Sequence, residues 1–304
     1  MTTDFTGGGD PRRTIELLWD VRADDAARRP GPKPRFTAAE VARAAIAVAD
    51  ADGLGALSMR KVAEGLGVSA MSLYTYVPGK AELIDLMLDN VLAEIPRPGD
   101  PLGPEGAPRP DDALGPDGAP RPDDALGPEG APRPDDAPGP DGAPRPDDAP
   151  GAWRGRLERV ARDNWALYLR HPWLLQVATS RPPLGPNVIA KYDHELRAVD
   201  GIGLTDIEMD LAVQLVGDYV HGAARTAVAA ILVAQRTGLT DEEWWEKAAP
   251  ALEKVLDPAA TPTASRVGSA AGAEYNAAAD PARAFEFGLA RLLDGIAALI
   301  DTRR

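Results

Sequence analysis

The chain has 304 residues, enough for roughly two domains, and carries a net charge of -14. It contains no cysteine, which excludes disulfides, thiolate metal sites and cysteine nucleophiles. No run of about 18 apolar residues occurs, so no membrane span is expected.

The charge is unevenly distributed. From Leu102 to Ala149 a twelve-residue unit, LGPEGAPRPDDA and close variants, repeats four times and contributes -8 of the total. The stretch from Arg28 to Lys80 instead holds eight bases against four acids, and Gly65 to Lys80 (GLGVSAMSLYTYVPGK) holds no acid at all. A basic segment inside an acidic chain suits a polyanion touched by one face only.

In chain order, residues 1–34 form an expected flexible extension. Its start has an early acid and no apolar run, so no signal peptide is expected and a cytoplasmic protein is the simplest reading. Residues 1–13 are Gly-rich and polar, RTIELLWDV (13–21) suggests a short helix, and RRPGPKPR (28–35) with three prolines suggests an extended basic arm. Residues 35–95 then carry four predicted helices. Thr37 with Glu40 makes a capping box for the first, Ser58 caps the second, the third starts after Ser69, and the fourth runs from about Lys80 to Ile95, before Pro96.

Residues 96–152 read as a disordered linker, since the four repeats hold thirteen prolines and almost no apolar surface. Residues 153–304 read as all-helical. Helices are expected from Trp153, near His171-Pro172, over NVIAKYDHELRAVDGIG, from the Thr205/Glu208 box, from Thr240, and from Asp280-Pro281. The Ala/Pro/Ser-rich residues 257–279 read as loose. The fold class expected is all-α, with a helix-turn-helix domain ahead of a helical ligand-binding and dimerisation domain.

The segment GLGVS between two short helices is the spacing of a DNA-reading helix-turn-helix. On the second of these helices Leu73 and Val77 face inward with Ala70, while Met71, Ser72, Tyr74 and Thr75 face out. Hydroxyls and a thioether fit base edges and thymine methyls, and tyrosine hydroxyls with a following lysine suit phosphate oxygens. Tyr76 lies toward the core, so packing and phosphate contact are both open to it. The alternative for this helix as a whole is a plain core helix with incidental hydroxyls.

TAAEVARAAIAVADADGLGALSMRKVAEGLGVSAMSLYTYVPGKAELIDLML resembles the N-terminal domain of the tetracycline-repressor (TetR) family along its whole length. That resemblance implies base or nearby backbone contacts from Arg60 and Ser72, phosphate contacts from Tyr74, Tyr76 and Lys80, and operator choice at Ala70 and Met71. With Thr37, Ser58, Ser69 and Thr75 these make the expected DNA-binding set. More loosely, WALYLRHPWLLQVATSRP and DYVHGA resemble the ligand domain of the tetracycline repressor. Where that repressor has its metal-binding His and Glu, this chain has Val177 and Thr226, so neither tetracycline nor a metal is implied, and no cofactor is expected.

Asn164, Trp165, Tyr168, Trp173, Arg181, Gln214, Asp218, His221 and Arg225 are the candidate pocket residues, mostly aromatic and polar groups at helical spacing. The three histidines, His171, His194 and His221, are too scattered for a metal signature. The function expected is a ligand-responsive regulator, a homodimer that binds a double-stranded palindromic operator and a small-molecule effector, with no membrane partner. The alternatives are a constitutive DNA-binding dimer and an all-helical enzyme using His221 and a carboxylate. Signalling is expected to pass through direct packing of Leu83, Leu86, Met87 and Val91 on the C-terminal helices.

Overall fold

A computed structural model of the chain describes residues 4–20, 35–96, 152–179 and 181–303. The basic arm over 28–34 and the four repeats lie outside the described residues. What is described is all-α apart from one pair of two-residue strands. A first segment comprises β1 (Asp4–Phe5) and α1 (Pro11–Leu18). An N-terminal bundle follows: α2 (Ala38–Asp52), α3 (Met59–Gly65), α4 (Ala70–Leu73) and α5 (Lys80–Leu92). The C-terminal bundle begins with α6 (Ala152–Arg170), a 3-10 turn (Pro172–Gln176) and β2 (Val177–Ala178). It continues through α7 (Pro186–Ala198), α8 (Asp206–Thr237), α9 (Asp241–Glu253), α10 (Pro262–Tyr275) and α11 (Pro281–Asp301).

The helices start where side chains can replace missing backbone acceptors. The Thr37 amide donates to Glu40 Oε2 at 2.7 Å, and the Glu40 amide donates back to Thr37 Oγ1 at 3.2 Å. The same reciprocal pair opens α8 at Thr205/Glu208 and α9 at Thr240/Glu243. Asp280 caps α11 ahead of Pro281, whose fixed φ suits a first helical turn. Each such cap is worth about 1 kcal/mol.

Two apolar clusters hold the helices together. One gathers α2–α5 around Val41, Ala45, Val62, Leu73 and Val77, and it also takes in Leu167, Trp173, Leu174 and Val177 of the C-terminal bundle. The other joins α6, α8 and α11 through Leu157, Val160, Val216, Val220, Leu289 and Leu293. Leu83, Leu86, Met87 and Val91 of α5 are all buried in the first cluster, each contributing roughly 1.5–3 kcal/mol. Helix α5 is therefore wedged between the bundles, on the side chains expected to carry the signal.

Three expectations change. Within the segment read as flexible, β1 pairs in parallel with β2, Asp4 opposite Val177 and Phe5 opposite Ala178. The short helix expected over 13–21 is present as α1, which starts two residues earlier, is capped by Asp10 and buries Leu18. Residues 257–279, read as loose, contain α10, whose Gly272 lies so close to Trp245 that an added Cβ would come within 2.6 Å of the indole. Near His171 the chain forms a 3-10 turn and a strand rather than a full helix. His171 is buried there, with Nδ1 2.7 Å from Asp50 Oδ1 and Nε2 3.1 Å from Glu94 Oε2.

Candidate nucleic-acid interface and ligand cavity

Helices α3 and α4 are joined by a turn whose Gly67 has φ +67°, a left-handed conformation that favours glycine. Ser58 Oγ accepts from the Lys61 amide at 3.2 Å, and Ser69 Oγ accepts from the Ser72 amide at 3.1 Å, so each serine begins a helix. Leu73 and Val77 are fully buried, which fixes α4 on the bundle. Its opposite face is open: Met71 is 78% exposed and Tyr74 47%. Ser72 and Thr75 share that face. Ser69 Oγ and Ser72 Oγ lie 2.8 Å apart, and the Thr75 hydroxyl donates to the Ser72 carbonyl at 2.6 Å. These hydroxyls are held in place yet keep acceptor capacity toward a groove.

Tyr76 is half-buried against the first cluster, and its hydroxyl accepts from the Arg35 amide at 3.2 Å. That bond ties the end of α4 to the start of α2, where Thr37 is exposed. Arg60 reaches into solvent with its Nε 2.8 Å from Glu64 Oε1. Lys80, at the first turn of α5, is 3.0 Å from Asp4 Oδ2, a partner that sequence reasoning did not foresee.

A cavity of about 580 Å³ opens between α6, β2, α7 and α8. Five candidates line it: Asn164, Tyr168, Gln214, Asp218 and His221, along with Val177 and Thr179. A second lobe of about 420 Å³ shares Lys191, Gln214 and Asp218 and adds Tyr192, Glu195 and Asp210. Asn164 Nδ2 donates to the buried Glu195 Oε1 at 2.8 Å, and Lys191 pairs with the same oxygen. Burial, then the charges of Glu195 and Asp218, pushes the Tyr168 hydroxyl up to about 12, so it stays a donor. Burial, then the Arg225 cation, lowers His221, whose ring lies edge-on to Tyr168 at 5.5 Å. A neutral imidazole beside a protonated phenol offers donor and acceptor together.

Four candidates fall outside the lining. Trp165 stacks on Phe285 at 4.2 Å and joins α6 to α11. Trp173 is buried in the first cluster, its indole N–H donating to Asp50 at 2.8 Å. Arg181 and Arg225 are exposed. Sequence reasoning missed Lys191 and Glu195. The available signal was an acid on the buried side of α7, seven residues after Val188 and three before Ala198. Val177 lines the cavity and Thr226 is exposed. No group of three His, Cys, Asp or Glu side chains that could hold a metal occurs among the described residues, and no helix among them is long and apolar enough to cross a membrane.

The model of the tetracyclin repressor-like C-terminal domain matches residues 145–300, and that of bacterial regulatory proteins of the tetR family matches residues 41–87. The HTH-type transcriptional repressor DrrR1 of Streptomyces coeruleorubidus is 40% identical over 306 aligned positions, covering 100% of this chain and 92% of that protein. An HTH-type transcriptional regulator of Saccharopolyspora erythraea is 28% identical over 63% of this chain and 61% of its own length. Apo ActR from Streptomyces coelicolor has the same fold, with TM-score 0.58 at 22% identity over 90% of this chain and 100% of that one. ActR in complex with actinorhodin gives TM-score 0.59 at 22% identity, over 88% and 97%. The chain belongs to the TetR family of bacterial transcriptional regulators.

Proposed function

We propose that the chain is a homodimeric repressor that grips a two-fold operator through paired α4 helices and releases it when a small molecule fills the cavity. The observation that carries this reading is the acid-free, exposed face of α4, fixed from behind by Leu73 and Val77. Met71 and Ser72 read base edges; Tyr74, Tyr76 and Lys80 hold phosphates. Residues 35–95 act as the DNA-reading head and 153–304 as the effector and dimer body, in the cytoplasm where the operator is. Exposed Leu211 and Leu215 on α8 and Phe287 on α11 offer an apolar face to a second copy.

The cavity favours an effector-controlled regulator over a constitutive one, because Asn164, Tyr168, His221 and Asp218 converge on one space beside Val177, which shares the first apolar cluster with α5. Its effector is a molecule of drug-like size with hydrogen-bond donors for Asp218 and Gln214. Family membership sets aside the enzyme alternative.

The test is a duplex-selection experiment followed by substitution. Tyr74→Phe should weaken binding about equally on all duplexes, whereas Met71→Ala and Ser72→Ala should shift preference by about 1–3 kcal/mol at single base pairs. If both kinds of variant leave affinity and preference unchanged, α4 is not the reading helix.

A further inference from the structure

The segment before the N-terminal bundle touches both ends of the signalling path. The Thr6 amide donates to the Ala178 carbonyl at 3.0 Å, and its hydroxyl donates to the Arg181 carbonyl at 2.7 Å. Ala178 lines the cavity, so this segment is bonded to the cavity wall. One residue on, the Gly7 amide donates to Asp85 Oδ1 of α5 at 3.1 Å, and Asp85 is fully buried. Gly7 has φ +68°, and a Cβ there would stand 3.0 Å from the Arg181 side chain. The segment then buries Leu18 in the first cluster, and the Trp19 indole N–H donates to the Leu184 carbonyl at 2.7 Å. At its other end the Asp4 carboxylate lies 3.0 Å from Lys80 Nζ.

We propose that residues 4–20 form a strap that couples the cavity wall to the DNA-reading head, with Asp4 competing against the DNA backbone for Lys80. This rests on the reading of Lys80 as a phosphate contact. The strap is short and has fixed points: Thr6 on β2 and Gly7 on α5 leave Asp4 only two residues from its anchor. A change in the wall at Val177–Ala178 therefore moves the acid relative to Lys80. When the acid holds the ammonium, one phosphate contact is lost; when the strap lets go, the contact is regained. The linkage is reciprocal, so DNA binding loosens the strap on the wall.

The experiment uses the full chain and a duplex recovered by selection on the wild-type protein. Asp4→Asn should tighten binding about two- to fivefold, the span of an exposed ion pair. Asp10→Asn removes the same charge from the same segment while keeping a competent helix cap, and should tighten binding less. In a Lys80→Met background the gain from Asp4→Asn should vanish. Thr6→Val, which leaves Asp4 and Lys80 intact, should tighten binding in the same direction because the acid is no longer held in register.

Equal effects of Asp4→Asn and Asp10→Asn, a gain that persists in Lys80→Met, or an unchanged affinity in Thr6→Val would each overturn the strap while leaving the reading helix intact. A wild-type chain that recovers no duplex removes both readings.

Discussion

Helix α7 begins at Gly185-Pro186 with no side-chain cap of its own. Its cap comes from another helix. Asp89 of α5 is 3% exposed, and its Oδ1 accepts from the Asn187 and Val188 amides, each at 3.0 Å, while Oδ2 accepts from Asn187 Nδ2 at 3.1 Å. Asp89→Ala leaves two amides at the buried helix start without that acceptor. A cap is worth about 0.5–2 kcal/mol and a hydrogen bond to a charged group about 1.5–3 kcal/mol. Relief from burying the carboxylate offsets part of this, so a net loss of about 2–4 kcal/mol is expected. Asp89→Asn keeps one acceptor oxygen and should lose about 1–2 kcal/mol. Gly185→Ala should also destabilise, since its Cβ would stand 2.2 Å from Asp89 Oδ1. On the Asp89→Ala background that second loss should shrink, because the clashing oxygens are gone. Urea unfolding at fixed protein concentration, followed by tryptophan fluorescence, measures all four variants against the wild type. A loss below about 0.5 kcal/mol for Asp89→Ala, or strict additivity with Gly185→Ala, would refute capping across the two helices.

Two further outcomes concern the C-terminal bundle. Burial lifts the Asp163 carboxyl from 3.8 to about 6 against the lowering pull of Arg159. The folded chain thus keeps a proton that the unfolded chain releases, and stability falls as pH rises from about 4 to about 6. Asp163→Asn should flatten that fall and add about 1–2 kcal/mol at pH 7, read from unfolding curves across the window. Gly288 of α11 has no room for a side chain, since a Cβ would meet the Tyr219 hydroxyl oxygen at 2.2 Å. That hydroxyl donates to the Phe285 carbonyl at 2.8 Å, so Gly288→Ala should destabilise by about 1–3 kcal/mol. Tyr219→Phe should recover part of the loss in a thermal melt.

What could be read from the residues was local chemistry. Thr37/Glu40, Thr205/Glu208 and Asp280-Pro281 announce helix starts because each device works within three residues of itself. The open face of α4 was legible for the same reason: with Leu73 on the helix and Val77 just beyond it turned into the core, Met71 and Ser72 are left exposed. Contacts across long separations were not legible. Asp4–Phe5 is too short to show an alternation, and its partner lies more than 170 positions away, so a Gly-rich polar start read as flexible. The acids Asp85 and Asp89 stand on the most buried helix of the N-terminal bundle, yet their reasons for being there, Gly7 and the start of α7, arrive from elsewhere in the chain. The same limit governed the cavity. Helical spacing could place Asn164, Tyr168, Asp218 and His221 on facing stripes, but Trp165 and Trp173 went to the core because Phe285 and Asp50 meet them there. An acid on an apolar stripe is therefore the signal to follow. Asp85, Asp89 and Glu195 are all such acids, and each marks a place where a second segment docks or where the cavity begins. Between them they tie the strap, α7 and the cavity to one another through α5, the helix that opens with Lys80.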